Sequence, residues 1–415
     1  MRWGRVRTPR TCCSAAEISS VFSVESGKQS IRAGFRLYFG CNPVKTDTVS
    51  RLVRFVLYLL LLEPIVVPAQ AGFSSLYVFG DGVCTTTNND TPFPYITNYY
   101  GLRRCNGRVW VEVLAQRQGL TYESNKNWSF YGHSSSNLVM NVNNFSAPTD
   151  ASNSLFVVWV NDADFVDYMV SIYQSFGTNI VRWTNAINQS LSNHFKAITN
   201  LYHAKGARTL VMPNAVDIMK VPQYSQVQSG PVKSFVRARI IDFNASFSTT
   251  LMNQIKTNCP DITIYVPNLF ALLDDMVTNS AYYGLTNVLY LGNTTDVVED
   301  ALLPNKALNG PGTNYIFWDA TDPTAKAHGV IADLVQQIVS PVQVSKITSL
   351  SGSNRLDVAN VPIGLNGFVD GTTNFVDWAG QTNVISTNAT QSVFVPASDP
   401  MQFYRLRFPF AWSWP

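Results

Sequence analysis

An α/β fold is predicted: a parallel sheet covered by helices on both faces, followed by a small β module. Three observations carry this prediction. Short apolar runs alternate with amphipathic helical stretches from Ser75 to Val339. One run, LFVVWV (Leu155 to Val160), is apolar at every position, as a strand buried on both faces requires. After about Pro341 the text changes to short alternating runs broken by Gly, Asn and Ser.

Taken in order, Ser75 to Gly80 (SLYVFG) reads as a strand ending at a glycine, and Trp110, Val113 and Leu114 mark a helix opening near Gly107. The buried strand Leu155 to Val160 follows. Ile187, Leu191, Phe195, Ile198 and Tyr202 recur at three- and four-residue steps, which predicts one long amphipathic helix stopped by Gly206. Thr209 to Met212 is the next strand, Val232 to Ile255 the next helix, and Ile262 to Val266 a further strand. The last helix is predicted over Pro323 to Val339, with Pro323 in its first turn. Strands alternating with helices imply βαβ units, whose ligand sites lie beyond the carboxyl ends of the strands. The residues after Phe79, Val160 and Met212 are therefore the place to look. Residues 341–362, containing SLSGSNRLDVAN, read as a linker. Residues 363–415, with FVDGTTNFVDW, SVFVP and FYRLRF, read as a small antiparallel module, expected to pack or space rather than bind.

Apolar residues make up 46% of the 415 and charged residues 14%, the balance of a folded chain with a sizeable core. The net charge of +3 is local. Residues 1–71 hold ten of the 30 Lys/Arg and four of the 27 Asp/Glu, so the remainder is mildly acidic and offers no basic face for nucleic acid. Arg51 to Gly72 has the pattern of a secretory signal peptide: Arg51 and Arg54, an apolar run Phe55 to Leu62, then Ala69-Gln70-Ala71. Interrupted by Glu63 and Pro64, that run is too short to span ~30 Å of hydrocarbon, so no stable anchor is expected after cleavage. Residues 1–50, Arg-rich and without periodicity, are expected to be an upstream extension outside the protein proper. Residues 72–340 then form the main domain of a secreted or periplasmic bacterial protein. Export permits disulfides, and Cys84 with Cys105 is the plausible pair, leaving Cys259.

Several segments together resemble the GDSL (SGNH) ester hydrolases. FSSLYVFGDGVCTTTNN (Phe73 to Asn89) is similar to their first block, a strand followed by Gly-Asp-Ser-Leu. RRCNGRVWVEVLAQRQGL (Arg103 to Leu120) resembles the second block, and LFVVWVNDADF the third. LYHAKGARTLVMPNAVDIMKVP (Leu201 to Pro222) and AYYGLTN (Ala281 to Asn287) resemble the family framework. NYIFWDATDPTAKAHGVIADL (Asn314 to Leu334) is similar to the block that normally reads Trp-Asp-x-x-His-Pro-Thr. The likeness runs in order over about residues 74–340. It implies a three-layer α/β/α, flavodoxin-like fold and a hydrolase of ester bonds.

That chemistry needs a serine at a strand-to-loop turn, a histidine to take its proton, an aspartate to orient the histidine, and oxyanion donors. By resemblance the serine position holds Gly82, which has no side chain, and the histidine position holds Asp322. The orienting Asp319 is retained. Cys84 is the best displaced nucleophile, although a buried or disulfide-bonded cysteine is its more ordinary role. Asp322 precedes Pro-Thr, so it is expected to cap the last helix; were it instead to face Asp319 and Asp81, altered carboxylate chemistry would gain. The resemblance assigns an oxyanion N–H to Gly107. In the third block the remaining roles fall on Ala163 and Asp164 without a gap, or on Asn161 and Asp162 with a two-residue deletion, and a shift of two keeps the strand face. Of the histidines, His133 lies in a loop able to approach the strand ends. His194 and His203 sit on the long helix, and His328 is read as a solvated or structural helix residue. No metal-ligand spacing and no phosphate loop is present, so neither metal nor cofactor is expected. Two functions stand open: an ester hydrolase by family, or a pseudo-hydrolase binding a glycan, lipid, acyl ester or protein partner.

Overall fold

The computed structural model describes residues 72–86, 98–226, 228–397 and 402–409. Residues 1–71, over which the sequence predicts an upstream extension and a signal peptide, lie outside the described residues. The sheet consists of β1 (Leu76–Gly80), β2 (Leu155–Trp159), β3 (Thr209–Val211) and β4 (Thr263–Tyr265), all parallel and side by side in chain order. Every residue of β1 and β2 is buried, which is why both read as continuous apolar runs.

The other edge of β1 is also occupied. Ser75 offers its carbonyl to Leu155 N (2.9 Å), toward β2, whereas Val78, three residues on, offers its carbonyl to Trp128 N (2.8 Å). Alternate carbonyls of a strand point to opposite edges, so the parallel bridge of Val78 with Asn127 lies on the side away from β2. The chain therefore adds to one edge of β1 and then to the other, and this reversal of strand order makes the crevice at the ends of β1 and β2.

Helices form two groups around the sheet. In chain order they are α1 (Trp110–Arg117), α2 (Ser135–Asn144), α3 (Asn161–Tyr168), α4 (Ile180–His203), α5 (Gly230–Ser246), α6 (Met252–Asn258), α7 (Leu269–Thr278) and α8 (Ala325–Val339). α1 packs on α8; α2 packs on α4, which also meets α5 and α6. Trp110, Trp183 and Trp318 are fully buried in the core. The helix expected over Val232 to Ile255 is α5 and α6 joined by one π turn, Phe247–Leu251. α8 starts at Ala325 rather than Pro323, because Thr324 is the residue whose side chain accepts a helix N–H, from Ala327 (3.3 Å). Among the described residues no helix is long and apolar enough to cross a membrane.

After a two-residue ribbon, β5 (Leu289–Tyr290) and β6 (Asn293–Thr294), the C-terminal region forms two antiparallel three-stranded sheets. One is ordered β11-β8-β7 and the other β10-β9-β12, from β7 (Gln343–Leu350), β8 (Ser353–Ala359), β9 (Gly367–Thr372), β10 (Ala379–Val384), β11 (Thr390–Pro396) and β12 (Phe403–Arg407). They enclose Leu356, Val358, Val361, Val369, Val384, Val393, Val395 and Phe408. Residues 341–362 are thus not a linker but largely the hairpin β7–β8, turned at Ser351-Gly352 with Gly352 at φ +77°. Their polar text has a simple cause: β7 is an edge strand with no fully buried residue. Arg117 at the end of α1 fastens this module, accepting from Ile363 N and donating to Ile363 O (3.2 Å each), while its Nε meets Asp333 (2.8 Å). Cys84, Cys105 and Cys259 are all buried free thiols, so the expected Cys84–Cys105 bridge is not formed.

Candidate functional site

The site is built on the turn after β1. Gly80 accepts at its carbonyl from His133 Nδ1 (2.8 Å) and donates its N–H to Ser129 Oγ (2.9 Å). A Cβ there would lie 2.5 Å from the Cβ and Sγ of Cys84, so only glycine fits. Asp81 caps the following turn, Gly82–Cys84, by accepting Val83 N (3.3 Å). Gly82 faces the cleft. A Cβ on it would point at Tyr131 Cδ2 (2.9 Å), Asp322 Oδ1 (3.3 Å) and Arg104 Cδ (3.5 Å). The Arg104 guanidinium stacks 3.7 Å above the Tyr131 ring, so an aromatic–cation pair occupies the space a nucleophile would use.

Asp322 does not cap α8. It is buried, lines the cleft, and accepts Thr321 Oγ1 at Oδ2 (2.8 Å). Asp319 holds the turn beneath it, accepting Asp322 N (2.8 Å) and Thr321 N (3.0 Å) at Oδ1 and Tyr99 OH (2.9 Å) at Oδ2. Burial, then the charge of Asp319, pushes the Asp322 carboxyl well above the ordinary range. Burial does the same to Asp162 and raises Asp81 to about 7.

The other expected residues divide. Ala163 and Asp162 line the cleft. Asp162 accepts Val216 N (2.8 Å) and ties α3 to the loop after β3. Asn161 points away, donating to Pro213 O (2.9 Å), and Asp164 accepts Ser135 N (2.9 Å) at the start of α2 and the Ser190 hydroxyl. Gly107 stands outside the cleft lining, its Cα side against Ala325, whose Cβ is 2.8 Å from where a Gly107 Cβ would be. Its neighbour Asn106 accepts Ala325 N (2.8 Å) and so fixes the start of α8. Cys84 is fully buried, receives the Trp110 indole N–H (3.3 Å), and burial raises its thiol, so it is not an activated nucleophile. His133 is buried, stacked on Phe130 (4.4 Å) and pulled down to about 4 by burial; its Nδ1–H supports the end of β1. His328 is fully buried rather than solvated, and neither ring nitrogen has a partner among the described residues.

The cleft holds about 190 Å³. Its polar end is Asp81, Asp162 and Asp322. Asp167 and Thr321 also line it, and the remaining wall is mostly apolar: Trp159 and Val166, Ile218 and Val221 after β3, and Leu269, Leu272, Leu273 and Met276 of α7. Sequence reasoning missed Tyr131, Arg104 and the α7 wall. Tyr131 lies in the loop singled out for His133, but nothing in its spacing says that its ring covers Gly82. Among the described residues no cluster of His, Cys, Asp or Glu could hold a metal ion.

The raised Asp81 carboxyl makes a stability prediction. Its folded pKa, about 7, lies above the ordinary 3.8, so the unfolded chain ionises first. The stability present below pH 3.8 is lost as pH rises toward 7. Asp81→Asn removes that loss. It is expected to unfold at higher urea than wild type at about pH 8, by about 4 kcal/mol, with the gap nearly closed at about pH 4. A gap independent of pH would show that Asp81 is ionised in the fold.

No family model matches the chain. The chain is 22% identical over 340 residues to a GDSL esterase/lipase of Arabidopsis thaliana, covering 67% of this chain and 86% of that protein. A second GDSL esterase/lipase of the same plant is 24% identical over 185 residues, 43% of this chain and 49% of its own. GDSL esterase/lipase 7, also from Arabidopsis, is 29% identical over 140 residues, 32% of this chain and 38% of its own. The chain spans about half or less of these last two relatives.

Proposed function

We infer that this chain, a divergent member of the GDSL esterase/lipase family, takes an acyl ester into the cleft beside Gly82 and holds it without forming an acyl-enzyme. Ester hydrolysis is the function its relatives support at family level. The observation that carries the narrower reading is at Gly82: no nucleophile is present and Tyr131 fills its place, yet an apolar-walled cleft remains open beside it. An acyl tail suits the wall of Leu269, Leu272, Leu273 and Met276. Asp322 lines the cleft, and burial shifts its carboxyl toward the protonated form, the form that donates an O–H to an ester carbonyl. The leader Arg51 to Ala71 supports export, and the protein acts outside the cell or in a periplasm.

A second reading is favoured by one observation, that Asp322 lines the cleft instead of capping α8. Asp81 would then activate water while Asp322 donates to the leaving oxygen. One experiment separates the two. Calorimetric titration with a medium-chain p-nitrophenyl ester, with product release followed in parallel, is expected to give binding without turnover. Val166→Trp, which fills the cleft from a half-buried position, is expected to weaken binding by about tenfold or more. Turnover abolished by Asp81→Asn would establish the second reading. No binding by wild type would overturn both.

A further inference from the structure

We propose that the outer face of the β10-β9-β12 sheet binds an acidic polysaccharide, a site separate from the cleft and independent of what the cleft does. On β12, Phe403, Arg405 and Arg407 share one face, opposite Thr372, Asp370 and Phe368 of β9. The inward residues of the same strands, Val369 and Leu406, pack in the module core, so this face looks outward.

Its polar centre is ordered. Asp370 is almost fully buried and receives Nε of Arg405 and of Arg407, each at 3.1 Å. Both arginines are about half exposed, at 47% and 55%, and each stacks on an aromatic ring: Arg405 at 4.4 Å from Trp378 and Arg407 at 5.0 Å from Phe368. Their Nε atoms are committed inward, as is Nη2 of Arg407, 3.5 Å from Asp370 Oδ1, and the remaining terminal N–H donors form the outward fork. Such a fork matches a carboxylate, and flat rings beside it match the apolar faces of sugar rings. The other carboxylate nearby, Asp377, is engaged by Asn374 Nδ2 (2.7 Å).

Phe375 gives a second, independent argument. It sits at φ +61°, a conformation that costs free energy for a bulky residue, and it is 61% exposed. Folding would be better served there by glycine or asparagine. The ring nonetheless lies against Phe403 (3.8 Å between centroids), extending the aromatic strip beside the arginines. Asn374 locks the loop by accepting Val376 N and Asp377 N (2.9 Å each), and the Trp378 indole N–H donates to Phe375 O (3.2 Å). A strained, exposed aromatic held rigidly is what a stacking platform needs, because the ring is ordered before the ligand arrives.

The test is affinity electrophoresis of the full chain in gels containing polygalacturonate or neutral dextran. Retardation is expected on polygalacturonate alone and should fall in about 0.5 M salt. Arg405→Gln with Arg407→Gln, and separately Trp378→Ala, should each weaken it by about tenfold. Phe375→Gly relieves the backbone strain, so its thermal midpoint should not fall, yet retardation should weaken. Absence of retardation by wild type, equal retardation on dextran, or a Phe375→Gly variant retarded like wild type would each overturn the proposal.

Discussion

Wild-type protein is expected to release p-nitrophenolate from p-nitrophenyl butyrate no faster than buffer, whereas a Gly82→Ser, Asp322→His, Tyr131→Ala variant should exceed buffer by about 10²-fold or more. The wild-type silence follows from the group nature of a triad. Losing the nucleophile alone costs about 10⁶-fold, and a retained Asp319 orients nothing once no histidine is present. The third substitution is required by geometry. A serine Cβ at Gly82 would lie 2.9 Å from Tyr131 Cδ2, closer than real Cβ contacts come, and the ring is held down by Arg104. The double variant that keeps Tyr131 is therefore expected to stay near background. The new histidine would enter well, since Asp322 Oδ1 already lies 3.3 Å from that Cβ position. Full family rates are not expected. Tyr99 already donates to Asp319 Oδ2, the oxygen a histidine would use, and Ala163 brings no side-chain donor to an oxyanion. A wild type that turns over ester, with Asp319→Ala silent, would mean that the carboxylates perform chemistry and that the binding reading is wrong.

What the sequence made legible follows from which interactions are local. β1, β2 and α4 were readable because their burial writes a period directly into the chain. α2 (SSNLVMNVNN) was not, because Ser, Asn and valine are poor helix formers; it holds through packing on α4 and through Asp164 accepting Ser135 N. The positions of Gly82, Asp319 and Asp322 were found by resemblance, and Gly82 and Asp322 do face one another. Their roles could not be read from spacing. Whether Asp322 or Thr324 caps α8 depends on a turn closed by Asp319, and Tyr131 reaches Gly82 across 49 residues of chain. The β7–β8 hairpin is hidden in the sequence for a related reason: an edge strand with little burial has the composition of a linker.

His328→Leu is expected to stabilise the protein, by about 1–2 kcal/mol at neutral pH and by roughly 2–3 kcal/mol more near pH 4.5. His328 is fully buried on α8 with both ring nitrogens unpartnered among the described residues, so its desolvation is uncompensated. Leucine has a similar volume and no polar atom to desolvate. The pH term has a definite sign. Burial lowers His328 from the ordinary 6.5 to about 3, so the folded chain refuses a proton that the unfolded chain accepts. Wild-type stability is then lost as pH falls below 6.5, down to about 3, and leucine removes that loss. His133 supplies the contrast. It is just as buried and also lowered, to about 4, but its Nδ1–H holds Gly80 O at the end of β1. His133→Leu should therefore lose stability at neutral pH, by about 1–3 kcal/mol, because it strands a buried carbonyl. Urea unfolding of both variants at about pH 7 and pH 4.5 decides the matter. Opposite signs at neutral pH would show that hydrogen bonding, not burial, separates the two histidines. A destabilised His328→Leu would instead mean that this imidazole makes an interaction worth more than its burial costs.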